Sequence, residues 1–313
     1  MADYIITVRN LRRGDFGTEP GPTRFLAVPG NRTPHPDQAI KRGDWVDAVF
    51  AAGHTGQDVH TGEDCGDIVV FVHGYNTSPG SVARRHRQFR RDLTKAGFRC
   101  AFVSFDWPSD DRAINYLEDR SDAKRTALRL VDDGISLLAA TQFRGCKYNV
   151  HVVAHSMGSY VLREAFDDAD DRPGIAASNW TVSQVCLVGA DVSRGSMSAG
   201  DSRSRSLYRH CTRLTNYQNP YDQALKLSNV KRAGVAPRAG RRGLPDDHAD
   251  KAVNVNCGSH YRKHYGERSD NGHSWYFEDE AFLADLAATL SGDRDRRVIG
   301  RRRLDGRGEL HMV

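Results

Sequence analysis

The 313-residue chain has no apolar run close to the ~20 residues that a membrane-spanning helix requires. Its opening stretch, MADYIITVRNLRRGD, has no apolar core of the secretory type, which makes a cytoplasmic location the default expectation. Its six cysteines, at positions 65, 100, 146, 186, 211 and 257, form no CxxC pair and no Cys/His ligand pattern. They read as small buried hydrophobes in a reducing compartment, and neither a metal nor a cofactor is expected. Internal repeats, linker-like stretches and nucleic-acid-binding motifs are missing as well. The reading is therefore one domain over residues 1–291, its core at about 66–290, with no nucleic acid as partner and the oligomeric state open.

What is present suffices for a full core, since 39% of the residues are hydrophobic. The net charge is +5, and the arginines gather at Arg84–Arg91, Arg203–Arg213, Lys231–Arg242 and Arg294–Arg307. The plainer reading of these clusters is solvated faces and a mobile basic tail over residues 292–313. The other is attraction to an anionic substrate or lipid surface.

Along the chain, apolar strands alternate with amphipathic helices. Ile5–Val8 and Phe25–Val28 read as strands, and Asp44 as the N-cap of a short helix carrying Trp45 and Val49. Ile68–Val72 and Cys100–Phe105 have the unbroken apolar character of strands covered on both faces. Helices are expected at Ser81–Ala96, Asp122–Ala140, Ser159–Phe166 and Glu278–Leu290, with further strands at Val185–Val188 and Thr212–Tyr217. Val253 and Val255 suggest one edge strand, and residues 192–210 and 229–250 read as irregular. The expected fold is α/β, a mostly parallel central sheet with helices on both faces and extra N-terminal strands.

One stretch carries more than packing. In Asn149–Leu162, NVHVVAHSMGSYVL, an apolar strand runs into Ala154-His155-Ser156-Met157-Gly158 and then a helix. Strand, small-x-Ser-x-small, helix is the layout of a nucleophile elbow, whose turn is too tight for large side chains beside the serine. Ala154 stands where glycine is usual. Asp191-Val192-Ser193-Arg194-Gly195 is a near miss, because Asp191 replaces the small residue and polar sequence follows.

Other polar residues collect where apolar strands end, the place where ligands sit on such sheets. They are His73, Gly74, Tyr75 and Asn76, then Asp106 with Trp107, then Asp191, then Asp222, with His260 and His273 in later loops. A serine hydroxyl becomes a useful nucleophile only when a base takes its proton, and that base needs a carboxylate to orient it. Serine, acid, histidine is the chain order expected for this architecture.

The strings FVHGYNTS, FDWPS, AHSMGS, YQNPYDQAL and a late GHS resemble the α/β-hydrolase superfamily, most closely an uncharacterised bacterial branch of serine hydrolases. The resemblance covers roughly residues 66–290. It implies a serine esterase cleaving a small-molecule carboxylic ester through an acyl-enzyme, with an anionic ester as one option. It also implies Ser156 as nucleophile, Asp222 as triad acid ahead of Asp191, and His273 as base ahead of His260. Backbone N–H groups of Met157 and Tyr75 would form the oxyanion hole, with His73, Gly74, Asn76, Asp106, Trp107 and His155 lining the pocket. Two other expectations stand beside it: an interfacial lipase or phospholipase on anionic lipid, and a catalytically silent binding protein with the same fold.

Overall fold

The structure, a computed structural model, describes residues 2–109, 116–135, 147–176, 180–230, 236–266, 271–292, 301–303 and 310–312. The expected strand at Ile68–Val72 is the inner part of β5 (Asp64–Val72). Its side chains alternate between two cores. Ile68, Val70 and Val72 enter one, and Val69 and Phe71 enter the other. Since successive strand residues point to opposite faces, both faces of the sheet are covered.

Four parallel strands flank β5 or lie just beyond it. They are β6 (Ala101–Asp106) on one side and, on the other, β7 (Lys147–His155), β8 (Val182–Val188) and β9 (Cys211–Gln218). At the β6 side the sheet continues through β1 (Ala2–Arg12), parallel to β6, then β2 (Asp15–Pro29) and β3 (Ala39–Ile40), both antiparallel. The N-terminal strands thus extend one edge, as expected, and β1 and β2 are longer than their apolar centres. A short β4 (His54–Gln57) pairs antiparallel with β5.

The other edge differs from expectation. β10 (Ala252–Asn256) is an inner strand, because β12 (Leu310–Met312) pairs parallel with it and β11 (Arg301–Arg303) pairs with β12. The supposed basic tail therefore contributes two short strands to the sheet. Leu310 and Met312 are buried on either side of the partly exposed His311. Two apolar residues at strand spacing are too weak a signal to stand out behind so many arginines.

Helices α1 (Arg42–Gly53), α3 (Tyr116–Arg129) and α4 (Met157–Asp170) bury Trp45, Ala127 and Val161 in the first core. Helices α2 (Pro79–Lys95) and α8 (Glu280–Leu290) bury Phe89 and Phe282 in the second. Each such fully buried apolar side chain contributes about 1.5–3 kcal/mol. Caps explain where these helices begin. The Ser78 hydroxyl accepts the Ser81 N–H ahead of α2, and Asp279 accepts the Phe282 N–H ahead of α8. Asp44 is not an N-cap. The cap position of α1 is Lys41, and Asp44 lies in the first turn, where a carboxylate suits the helix dipole.

Three more helices lie on the late half of the chain: α5 (Ser202–Arg209), α6 (Gln223–Val230) and α7 (Gly258–Tyr265). α5 falls in a stretch that reads as irregular because serine and arginine mask its buried Leu207. The expected helix Asp122–Ala140 continues from α3 as a wider turn through Ile135, and its last residues lie outside the described ones.

Candidate active site

β7 ends at His155, and Ser156 follows at φ 54° and ψ −125°, a backbone conformation that costs on the order of 1–3 kcal/mol. Backbone bonds hold it there. The Ser156 N–H donates to the Val188 carbonyl at 3.0 Å, and the Asp191 N–H donates to the Ser156 carbonyl at 3.0 Å. Ser156 occupies the N-cap position of α4, yet its hydroxyl makes no cap bond. Serine is a favoured capping residue, and here its oxygen is turned to another partner.

That partner is His273. Its Nε2 lies 2.8 Å from Ser156 Oγ, and its Nδ1 lies 2.6 Å from Asp222 Oδ2. With the proton on Nδ1, the ring donates to the carboxylate and accepts from the hydroxyl, which fits both distances. Asp222 is fully buried, and its other oxygen accepts the Leu225 N–H at 2.9 Å. The two late turns are tied together. Asn219 Nδ2 donates to the Gly272 carbonyl at 3.0 Å, and the Gln223 N–H donates to the Asn271 carbonyl at 2.8 Å. The acid and the imidazole are thereby set against each other by the backbone.

The loop after β5 closes over the elbow. A Cβ added to Gly74 would stand 2.9 Å from the Ser156 Cβ, and one added to Gly158 would meet the Val72 and His73 carbonyl oxygens at 2.4 and 2.5 Å. Glycine is required at both positions for loop and elbow to meet. Met157, the first residue of α4, has a backbone N–H among those that a helix start leaves without an internal partner. Tyr75, next to Gly74, is half-buried and lines a cavity of about 400 Å³ that opens beside Gly74 and His155. Asn76, exposed and at φ 56°, lines the same cavity.

His155 lies at the site. Its Nε2–H donates to the His273 carbonyl at 3.0 Å, and its ring faces the His273 ring at a centroid distance of 4.8 Å. Burial, followed by the neighbouring His273 and Arg85 charges, holds its pKa well below the usual histidine value. A neutral ring there steadies the His273 backbone without adding charge beside it.

The remaining expected residues have other partners. His73 is buried, stacks on Trp107, donates from Nδ1 to the Gly74 carbonyl at 2.8 Å and accepts the Trp107 N–H on Nε2 at 3.3 Å. Asp106 accepts from Arg9 Nε and from the Thr7 hydroxyl, both at 2.8 Å. Burial alone would raise the Asp106 pKa, but the Arg9 guanidinium and His73 outweigh it and hold the carboxyl below its usual value. Asp106 and Trp107 thus brace the loop from behind and do not line the cavity. Asp191 faces buried Arg238, Nε to Oδ1 3.1 Å. His260 bonds Asp279 at 2.8 Å, on the N-cap of α8.

Two cavity residues belong to the Arg84–Arg91 cluster, whose sequence does not tell which of its arginines reach the site. Arg84 and Arg85, in α2, form its wall with Phe277, and the Arg85 guanidinium carbon lies 4.4 Å from the Phe277 ring centre.

A mostly parallel sheet covered by helices on both faces, with a positive-φ serine between a strand and a helix, is the fold of an α/β hydrolase. The chain matches the family described as alpha/beta hydrolase of unknown function (DUF900) over residues 54–246, more than half its length, and it belongs to that family. A curated relative from Nostoc sp., the uncharacterized protein alr1448, is 24% identical over 163 residues, 43% of this chain and 41% of that protein. The chain thus matches less than half the length of that relative.

Among solved structures, the Trichoderma reesei cutinase is 16% identical, covering 80% of this chain and 86% of its own, at a TM-score of 0.32. The dienelactone hydrolase of Anabaena variabilis is 20% identical, covering 72% and 84%, at a TM-score of 0.38. Likenesses of this extent say nothing about the substrate of this chain.

Proposed function

We propose that the protein is a serine hydrolase of carboxylic esters, with Ser156 as nucleophile, His273 as general base and acid, and Asp222 as the carboxylate that orients the imidazole. One observation carries this reading. The hydroxyl of a serine at positive φ is withheld from capping its own helix and instead heads a hydrogen-bonded row to His273 and Asp222.

In this mechanism His273 Nε2 takes the Ser156 proton as Oγ attacks the ester carbonyl. The new oxyanion is received by the Met157 N–H at the start of α4 and by the Tyr75 N–H from the facing loop. Losing one such donor costs about 10²–10³ in turnover in well-studied cases. His273 then gives its proton to the departing alcohol. Water hydrolyses the acyl-enzyme by the same transfers in reverse, and the Asp222 carboxylate stabilises the imidazolium formed in each half.

A fluorophosphonate probe is expected to label the protein, with Ser156→Ala abolishing both labelling and ester cleavage. Labelling and cleavage that persist in the Ser156→Ala protein would overturn the assignment.

A further inference from the structure

The cavity beside the elbow has an electrostatic character that ester hydrolysis alone does not require. Gly74 and His155, which flank Ser156, line it together with Arg84 and Arg85 from α2. Among the described residues, neither arginine has a carboxylate oxygen within 4.0 Å. Their hydrogen bonds go to neutral groups on their own helix: Arg84 donates to the Ser81 hydroxyl at 2.7 Å, and Arg85 to Gln88 Oε1 at 3.4 Å.

Arg85 is half-buried, with its guanidinium over Phe277. Burial pushes its pKa down, and Glu278 pulls it partly back. Among the described residues, the cavity lining holds no aspartate and no glutamate. The arginines elsewhere in α2 are used differently, since Arg87 and Arg90 converge on the buried Asp3. Arg84, exposed, and Arg85, half-buried, are thus cations on a concave site with no carboxylate in ion-pair contact among the described residues, Glu278 acting on Arg85 only from beyond that distance, and a guanidinium in that setting suits an oxyanion partner.

We infer that the ester taken by this site carries an anionic group, a carboxylate or a phosphate, seated on Arg84 and Arg85. The inference rests on the serine-hydrolase reading and names the substrate class for it. The ester carbonyl lies between Ser156 and the 74–75 loop, and the anionic end of the substrate extends along the cavity to α2. The arginines act on binding and placement of the substrate, while proton transfer stays with His273.

Two matched pairs of esters test this. Mono-(4-nitrophenyl) glutarate against 4-nitrophenyl valerate puts the charge on the acyl side. 4-Acetoxybenzoate against methyl 4-acetoxybenzoate puts it on the leaving group. In at least one pair, Arg84→Gln/Arg85→Gln is expected to lower the anionic-to-neutral ratio of kcat/KM by about tenfold, and Arg84→Lys/Arg85→Lys to restore most of it. Raising the salt concentration lowers the wild-type ratio in the same pair.

Fluorophosphonate labelling of every variant reports on Ser156 separately. Labelled proteins whose ratios stay the same in both pairs would sink the anionic subsite and leave the hydrolase reading standing. A wild-type protein that is neither labelled nor active on any of the four esters overturns the hydrolase reading, and the subsite falls with it.

Discussion

The molecule places a serine, a histidine and an aspartate together in two regions, and the pair is instructive. Ser156, His273 and Asp222 meet at the carboxyl ends of the strands. Ser104, His86 and Asp3 meet inside the sheet–helix interface, with Ser104 Oγ 2.9 Å from His86 Nδ1 and Asp3 Oδ1 3.7 Å from His86 Nε2. In the second cluster Arg87 and Arg90 already compensate the carboxylate, at 2.5 and 3.1 Å.

Burial, followed by the charges of Arg90 and Arg87, pushes the His86 pKa down to about 3. A ring that refuses a proton near neutral pH cannot serve as a base. Ser104 lies in β6, with no helix start behind it to supply N–H donors and no way out to solvent. The same residue types therefore form a packing cluster in one place and the proposed reaction centre in the other, according to which groups face the carboxylate and the hydroxyl.

The contrast can be broken at the serines first. Ser156→Ala is expected to lower kcat/KM on a short nitrophenyl ester by on the order of 10⁴–10⁶. Ser104→Ala should leave it within about tenfold while reducing stability, because His86 loses a buried partner. Equal losses at both serines would erase the distinction.

The aspartates at the ends of β8 and β9 come next. Asp222→Asn should cost about 10⁴ in kcat, by disturbing the tautomer of His273. Asp191→Asn should instead cost about 3 kcal/mol of stability by urea unfolding, since it removes the charge that faces buried Arg238. A collapse of turnover in the Asp191 variant with normal stability would reverse these roles.

The smallest effect concerns pH. An unfolded histidine binds a proton near its ordinary pKa of 6.5, whereas folded His86 does so only at about 3. Between those values the unfolded chain holds more protons, so this contribution to stability is complete above about 6.5 and is lost as pH falls. His155, also depressed, acts in the same direction. His86→Gln should therefore flatten, without abolishing, the fall of the urea midpoint between pH ~6.5 and ~4. A slope identical to the wild type would remove His86 as its source.

Much of the fold was legible because buried parallel strands write themselves as apolar runs, as Ile68–Val72 does. The elbow was legible for a related reason: its geometry demands small residues within a five-residue window. Longer-range pairing was not. Asp191 and Asp222 each follow a strand, and only the folded chain distinguishes the one facing Arg238 from the one facing His273. His155 was expected at the pocket and lines the cavity, but its partner was not legible, because it is a carbonyl 118 residues away. The arginine-lined cavity was illegible as a site for the same reason, since one wall belongs to α2 and another to the turn after His273.

Arg9 gives the site a history as well as a shape. Its guanidinium is 1% exposed and donates to Asp106 and to the Thr77 and Trp107 carbonyls, groups made some seventy to a hundred residues later in synthesis. β1 pairs with β6, so Arg9 has its full set of partners, and the loop beneath Gly74 its brace, only in a chain that includes both strands. The nucleophile follows about fifty residues after that, and the histidine well over a hundred after the nucleophile. In chain order, the parts that brace the loop precede Ser156, and Ser156 precedes His273, so any truncation that keeps the proposed catalytic pair also keeps the brace only if it starts before Arg9.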